Sequence, residues 1–291
     1  MKRVSFSDRF TYVGFTIIPL GLYATFYVFQ VISGMYFSFT DWNGMSPTYN
    51  IIGFQNYTRL FTNPNFWRSL WTTVRYAFFL VSFTILLALT LSLAMDSLNA
   101  FKTFTKAVYF LPAMLGPVTV ALIWNQMYMR VLPVIGNALD IDLFKQNPLG
   151  SPDTTMLATV FINVWQSVAI PTIIFIAGLQ SIPRDQYESA QIDGASPLQR
   201  FRFITMPGLF PIFVVNLVLL VKAGFTTFDY PYTLTGGGPA RAVQVISISI
   251  INDAFANFRF SMANAQAVVL FFIIASISVF QIRFSHKRID R

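Results

Sequence analysis

Six long stretches of this sequence contain no charged residue, and they set the strongest limit on how the chain can fold. They cover residues 10–40, 76–95, 107–129, 154–183, 203–221 and 260–282. A helix needs about 20 apolar residues, each rising 1.5 Å, to cross a hydrocarbon core about 30 Å thick. The stretches therefore predict an all-α polytopic membrane protein with six transmembrane helices, at about 10–39, 72–95, 107–129, 155–180, 204–228 and 260–283.

The composition favours this membrane protein over a soluble globule with buried helices. Of the 291 residues, 55% are hydrophobic and 11% are charged, whereas about a quarter are charged in an average soluble domain. The net charge of +8 does not indicate nucleic acid binding, because the basic residues lie between apolar runs. The chain has no cysteine, and its one histidine is His286 in the tail. We therefore expect no metal site, no cofactor and no enzyme of the usual kinds.

The distribution of lysine and arginine predicts the orientation of the helices. With the N-terminus inside, the inner segments hold 12 of the 20 basic residues in 48 positions, and the outer segments hold 8 in 97. Cytoplasmic loops are enriched in these residues, so the tails at 1–9 and 286–291 are expected in the cytoplasm. A basic start before an apolar core also fits a signal peptide, but this apolar stretch is too long and has no cleavage pattern.

The inner loop at 184–202 is longer than a reversal between two helices requires, and it carries two helix starts. Ser181 is a candidate N-cap for the first helix, with Pro183 in the first turn and Asp185 near the N-terminus. Gly194 then supplies a flexible break. The second start combines a capping hydroxyl, a proline at the first helical position and a capping-box glutamine, in Ser196, Pro197 and Gln199. The pattern predicts a helix-turn-helix on the cytoplasmic face.

Several motifs resemble those of one transporter family. The EAA loop of ABC importer permeases is similar to Glu188, Ser189, Ala190, Asp193, Gly194, Ala195, Ile204 and Pro207, with Ser189 in place of the usual alanine. Further matches are Phe228-Asp229, Thr235-Gly236-Gly237-Gly238-Pro239, Gly53-Phe54, Asn56-Tyr57, Asn163 and Trp165. By these motifs the chain is identified as a member of the binding-protein-dependent carbohydrate permeases of the maltose, glycerol-phosphate and multiple-sugar type, with an ABC type I transmembrane domain over residues 10–285.

The resemblance implies a function and a set of partners. In this family the EAA loop is a coupling helix that inserts into a cytoplasmic ATPase, where the glutamate, here Glu188, pairs with a basic residue. The implied partners are a second six-span permease that is a different chain, two ATPase subunits that hold ATP and Mg, an extracytoplasmic solute-binding protein and the lipid bilayer. This chain has no Gly-x-x-x-x-Gly-Lys-Ser/Thr loop of its own. The implied location is the cell membrane of a prokaryote.

Polar and aromatic residues within the spans are candidates for the substrate cavity, because sugars are bound by amide groups and aromatic faces. In maltose-type relatives the fourth and fifth spans line the sugar. The candidates are Trp124, Asn125, Trp165, Gln166, Ser167, Asn216, Leu220, Ala223, Gly224, Thr227 and Phe228. The alternative for each is helix-helix packing. Lys222 and Asp229 would share one face of a continuous helix, where Lys222 either snorkels to the interface or meets an anionic sugar.

The expected function is alternating-access import of a carbohydrate, taken to be an oligosaccharide. One alternative is import of glycerol phosphate or another anionic sugar derivative. Another is a secondary transporter or channel that works without ATP, which predicts ionisable residues near the midplane of the membrane. The six charge-free runs contain none. A third is a membrane scaffold that binds a partner through the loop without transport.

Overall fold

The computed structural model describes residues 6–97 and 111–289. Within these residues the backbone is mainly helical, and pairing of the β type is confined to one isolated bridge between Thr40 and Ile51. The all-α prediction is therefore confirmed. The start of the predicted third span and the ends of both predicted tails lie outside the described residues.

Prolines begin several of the helices. Proline has no backbone N–H, and in the first turn this causes no loss because an N–H there has no acceptor inside the helix. Pro117, Pro152 and Pro197 hold such positions. The α-helices are α1 (Phe6–Tyr23), α2 (Phe29–Phe37), α3 (Gln55–Thr62), α4 (Pro64–Ser97), α5 (Pro117–Gln126), α6 (Leu132–Ala138), α7 (Asp142–Lys145), α8 (Pro152–Ser167), α9 (Ala169–Ser181), α10 (Arg184–Ile192), α11 (Pro197–Arg200), α12 (Met206–Phe225), α13 (Asp229–Thr235), α14 (Ile246–Ile251) and α15 (Phe260–Ile289). Short π-helical segments are Ala24–Val28, Met127–Val131, Phe201–Thr205 and Asn252–Ala256.

The described helices are compatible with six membrane spans. Helices long and apolar enough to cross a membrane are Gly14–Phe37, Pro64–Met95, Pro117–Ala138, Pro197–Thr235 and Phe260–Arg283, here named the first, second, third, fifth and sixth spans. The fourth span is the pair α8 and α9, which meet at an angle of 48°. Pro171 explains this bend, because it has no N–H to donate to the carbonyl of Ser167 and its ring crowds that carbonyl.

The chain forms two compact units, one of which contains residues up to Pro64 together with Ile250–Phe271. In this unit Asn56 ties down the turn after the first span, donating from Nδ2 to the carbonyls of Ser38 and Thr40 at 2.9 and 2.8 Å. The Ser261 hydroxyl lies 2.9 Å from the Thr40 hydroxyl. The described part of the chain buries none of the apolar window of the first span, which leaves this surface available to lipid or another subunit.

The other unit contains Asn65–Ser249 and Phe272–Arg291. Its apolar clusters join side chains of the fourth span to three neighbouring spans, for example Val160 with Tyr76, Ile162 with Val120, and Phe175 with Leu209. The fourth and fifth spans also approach closely at Gly178, where a Cβ would lie 2.7 Å from the Ile212 side chain. The fourth span therefore joins the second, third and fifth.

A tight turn follows α13 and lies against the second span. Gly236 and Gly237 have φ values of 61° and 95°, a region that glycine adopts at little cost. The Arg68 guanidinium donates to the carbonyl of Ala240 at 3.0 Å. The Gly-Gly-Gly-Pro run therefore reverses the chain and returns it toward α4.

Candidate functional site

A helix-turn-helix lies between the fourth and fifth spans, at the position of the predicted coupling loop. Helices α10 and α11 reverse at Gly194, which has a φ of +78°, in the region where residues other than glycine are strained. The N–H groups of Gly194 and Ala195 donate to the carbonyls of Gln191 and Ala190 at 3.1 and 2.8 Å. The reversal predicted at Gly194 is present.

The second helix start of this loop matches the prediction and the first does not. The Ser196 hydroxyl accepts from the Gln199 N–H at 3.4 Å and Gln199 Oε1 accepts from the Ser196 N–H at 2.7 Å, which completes the capping box. The N-cap role predicted for Ser181 is wrong, because Ser181 ends α9 and donates to the carbonyl of Gly178 at 2.7 Å. Helix α10 starts after Pro183 without a side-chain cap. A hydroxyl in the last turn of a helix has a carbonyl of its own helix within reach.

Tyr187 anchors the loop to the spans, and the sequence reasoning missed it. Its hydroxyl lies 2.9 Å from the Thr205 hydroxyl, which joins α10 to the start of the fifth span. Its ring packs with Ile204 against the apolar cluster that contains Leu179 and Leu209. One side of α10 is therefore fixed to the transmembrane core.

The predicted coupling residues lie on the other, uncovered part of the loop. Exposed residues are Glu188, Ser189, Asp193 and Gly194, and half-buried ones are Ala190 and Ala195. Two large apolar side chains flank the turn, with Ile192 86% and Leu198 75% exposed. Exposed apolar side chains that lie together are typical of a docking surface. Two large apolar residues around Gly194 in a polar loop were a sequence signal for this surface.

The aromatic candidates of the third and fourth spans form one cluster. The rings of Trp124 and Trp165 are 5.5 Å apart, and Phe161 lies 5.4 Å from Trp124. Trp165 also lines a cavity of about 1080 Å³, together with apolar side chains that include Phe161, Leu115 and Phe83. The structure thus brings Trp124 and Trp165 together, and places Trp165 at an apolar cavity.

The amide candidates are tied to carbonyls of neighbouring segments. Gln166 Nε2 donates to the carbonyls of Pro112 and Leu115 at 3.0 and 2.6 Å. Pro112 lies in a short helical stretch, and Leu115 lies at the bend that separates it from α5. Asn216 Nδ2 lies 3.4 Å from the carbonyl of Pro171, and Asn125 Nδ2 lies 3.5 Å from that of Leu234. The amide oxygens of all three are buried and have no hydrogen-bond partner among the described residues. These side chains link helices through their donor groups.

The candidates of the fifth span differ in burial. Leu220 and Gly224 are buried, whereas Ala223 is exposed. A Cβ on Gly224 would lie 2.8 Å from Ala77 Cβ, so Gly224 packs against the second span. The helix is interrupted at residues 226–228, and Lys222 and Asp229 therefore lie on two helices, α12 and α13, with both side chains exposed.

Tyr76 joins the remaining candidates, and it was absent from the sequence-based set. Its hydroxyl accepts from Asn163 Nδ2 at 3.1 Å, and the Thr227 side chain lies near the same oxygen. The Ser167 hydroxyl donates to Asn163 Oδ1 at 2.8 Å. Phe228 packs against the cluster that contains Tyr76 and stacks on Tyr232 at 4.8 Å.

Among residues 6–97 and 111–289, no three His, Asp or Glu side chains lie together in a way that would hold a metal ion. The described functional features are thus transmembrane helices with a polar network between spans and a loop that exposes apolar side chains.

Residues 17–291 match the family of binding-protein-dependent transport system inner membrane components. The chain belongs to this family. The match confirms the resemblance inferred from the loop and the Gly-Gly-Gly-Pro motif, and it makes the chain a membrane-embedded transport subunit.

Curated relatives align with this permease over almost their whole length. It is 37% identical to the multiple sugar-binding transport system permease protein MsmF of Streptococcus mutans, over 94% of each chain. It is 29% identical to the sn-glycerol-3-phosphate transport system permease protein UgpA of Rhizobium meliloti, over 99% of each chain.

A solved structure shows the same fold. The permease resembles a chain in the crystal structure of a bacterial alginate ABC transporter in complex with an alginate pentasaccharide-bound periplasmic protein, with a TM-score of 0.82. The two chains are 20% identical, and the match covers 96% of each. The likeness agrees with the ABC importer transmembrane fold predicted from the sequence.

Proposed function

We propose that this permease is the transmembrane subunit of an ATP-driven ABC importer that receives a carbohydrate, most simply an oligosaccharide, from an extracytoplasmic binding protein. The observation that carries the proposal is the 37% identity with a multiple sugar-binding permease over 94% of both chains. The complex of the alginate transporter with a saccharide-loaded periplasmic protein has the same fold in its transmembrane chain. Both observations support a sugar substrate and a binding-protein partner.

The projecting loop is the contact with the ATPase in this proposal. Residues Glu188, Ser189, Ala190, Asp193, Gly194 and Ala195 would form the coupling surface, extended by Ile192 and Leu198. The exposed apolar pair supplies surface to bury, and Glu188 supplies a charge-assisted hydrogen bond, which contributes about 1.5 to 3 kcal/mol in general. Because Tyr187 fixes α10 to the core, a displacement of the loop by the ATPase would be passed to the fourth and fifth spans.

The remaining partners and the orientation follow from the same proposal. The threefold excess of basic residues in the inner segments supports cytoplasmic termini and a cytoplasmic loop. The partners are two ATPase subunits, which hold ATP and Mg, and a second six-span permease from a different chain. Alternating access then results when ATP draws the coupling loops together and the spans reorient around the substrate.

The substrate cavity is proposed at the fourth and fifth spans. Trp165 and its neighbour Trp124 offer aromatic surface, and Thr227 and Phe228 lie at the interruption of the fifth span. The buried amide oxygens of Asn125, Gln166 and Asn216 are acceptors that hydroxyl groups of a sugar would satisfy if the spans separate. Of the other candidates, Ser167, Leu220 and Gly224 pack within the chain and Ala223 is exposed.

An anionic sugar derivative such as glycerol phosphate is the second candidate substrate. Lys222 is exposed one turn from the end of α12, and no ion pair found in the described part of the chain involves it. A charge at membrane depth is stabilised by an opposite charge or by water. The glycerol-phosphate permease of Rhizobium meliloti, 29% identical over 99% of each chain, also supports this substrate.

The test is the ATPase activity of the complete complex, reconstituted with its binding protein and scanned over neutral oligosaccharides, uronate oligosaccharides and sn-glycerol 3-phosphate. We expect one class to stimulate hydrolysis and Glu188→Ala to abolish the stimulation while assembly is unchanged. Gln186→Ala is the matched control, because Gln186 is an exposed residue of the same helix. Uptake that persists without an ATPase would refute the proposal, and equal effects of the two substitutions would refute the role of Glu188.

A further inference from the structure

The interruption of the fifth span leaves a short segment with little backbone support. Helix α12 ends at Phe225 and α13 begins at Asp229, and Phe228 has extended φ and helical ψ values of −142° and −51°. Residues outside a helix lack its repeated backbone hydrogen bonds, so side-chain contacts must fix their position. This segment carries Thr227 and Phe228, both of which belong to the proposed substrate cavity.

Tyr76 of the second span supplies those contacts. It is fully buried, with 0% of its surface exposed, and Thr227 is 7% exposed. Its hydroxyl accepts a hydrogen bond from Asn163 Nδ2 at 3.1 Å, and the Thr227 side chain lies near enough to interact with the same phenol oxygen. The phenol ring belongs to the apolar cluster against which Phe228 packs. One side chain therefore links the second, fourth and fifth spans at the interruption.

The neighbours of Tyr76 on the same helix reinforce this junction. One turn earlier, the Thr73 hydroxyl accepts from the backbone N–H of Ile246 at 2.8 Å. One residue later, Ala77 faces Gly224 of the fifth span so closely that a Cβ added to Gly224 would lie 2.8 Å from Ala77 Cβ. Residues 73–77 thus hold both the fifth span and the segment that follows the Gly-Gly-Gly-Pro turn.

We propose that Tyr76 is a positioning residue that holds Thr227 and Phe228 in place at the substrate cavity through its hydroxyl group. The inference rests on the proposed carbohydrate import and adds a residue that does not itself touch the sugar. Without the hydroxyl, Asn163 loses its acceptor and Thr227 loses its tether. The interrupted segment then samples several positions, and only some of them are competent to bind the substrate.

The first test compares Tyr76→Phe with Tyr128→Phe in the reconstituted complex. Tyr128 is a matched control, because it is also a buried tyrosine, and its hydroxyl donates to a backbone carbonyl of the fourth span, that of Ala158, at 3.1 Å. Uptake is followed with radiolabelled maltotriose or sn-glycerol 3-phosphate, whichever the wild-type complex transports. We expect Tyr76→Phe to raise the half-saturating concentration about tenfold with a smaller change in maximal rate, because a fractional population of the competent state weakens apparent affinity. Tyr128→Phe is expected to change the half-saturating concentration by less than about twofold.

The second test needs no substrate and uses the absence of cysteine from the chain. Cysteines placed at the exposed positions 161 and 226 carry spin labels, and the distance distribution between them is measured in the assembled complex. We expect Tyr76→Phe to broaden it and Tyr128→Phe to leave it narrow. An unchanged distribution in Tyr76→Phe overturns the inference, as does an unchanged half-saturating concentration in a complex that transports. A wild-type complex that transports neither probe counts against the proposed function, while the label distances still decide the role of Tyr76.

Discussion

Gly224 offers a direct test of whether the fifth span packs against the second or lines an open cavity at this point. A Cβ added there would lie 2.8 Å from Ala77 Cβ and 2.9 Å from Ala77 Cα, whereas carbon atoms in contact prefer about 3.5 to 4.0 Å. The backbone Cα cannot rotate away as a side chain would, so the two helices must separate locally by roughly 1 Å. Such overpacking costs about 1 to 3 kcal/mol. We therefore expect Gly224→Ala to lower the stability of the assembled transporter.

The measurement is the fraction of intact complex that remains after heating, followed by fluorescence-detected size-exclusion chromatography. Gly21→Ala in the first span is the control, because a Cβ at Gly21 meets nothing within 4 Å and alanine favours a helix by about 0.5 to 1 kcal/mol over glycine. We expect only Gly224→Ala to shift the curve to lower temperature. If both variants keep wild-type stability while Gly224→Ala alone changes the saccharide concentration for half-maximal uptake, Gly224 faces the substrate and the packing argument is wrong.

Two further substitutions test the loop and the link between Gln166 and the segment before the third span. Gly194→Ala places a Cβ at a φ of +78°, which costs about 1 to 2 kcal/mol. The substitution should reduce sugar-stimulated ATPase activity without releasing the permease from the membrane. Undiminished stimulation would contradict a role for this turn geometry. Gln166→Leu removes the donor to two carbonyls and should lower thermal stability by about 1 to 3 kcal/mol. Its control is Gln180→Leu at an exposed position of the same span, and equal shifts would contradict the proposed link.

The sequence predicted those parts of the fold that depend on local chemistry. Long charge-free runs indicate helices that cross a membrane, whatever their neighbours are. The capping box at Ser196 and the reversal at Gly194 are also local, since each depends on residues within one turn. Ser181 shows the limit of this reasoning. Its hydroxyl could cap the next helix or donate to a carbonyl of its own helix, and the outcome depends on where α9 ends. Because α9 extends to Ser181, the hydroxyl bonds the carbonyl of Gly178.

The substrate cavity was less predictable, because its residues depend on which helices meet. From the sequence, an amide such as Gln166 is equally compatible with a sugar ligand and with a link between spans. Its two carbonyl partners, at Pro112 and Leu115, lie 54 and 51 residues earlier in the sequence. From the sequence, Gly224 is equally compatible with an opening in a cavity and with a close contact between helices. The proximity of Ala77 in the structure shows that it is a close contact. Tyr76 lies at the end of a charge-free run, where a tyrosine is typical of the membrane interface. Its role depends on Asn163 and Thr227, far away in sequence.

The bond between Gln166 and the bend at Leu115, just before the third span, has a consequence for how the protein is made. The glutamine that satisfies the carbonyl of Leu115 is synthesised 51 residues after it, so the third span leaves the ribosome before its donor exists. A carbonyl outside a helix is costly in lipid until a donor reaches it. The third and fourth spans are therefore expected to leave the translocation channel for the bilayer as a pair. Until the fourth span arrives, the channel interior would solvate the carbonyl of Leu115.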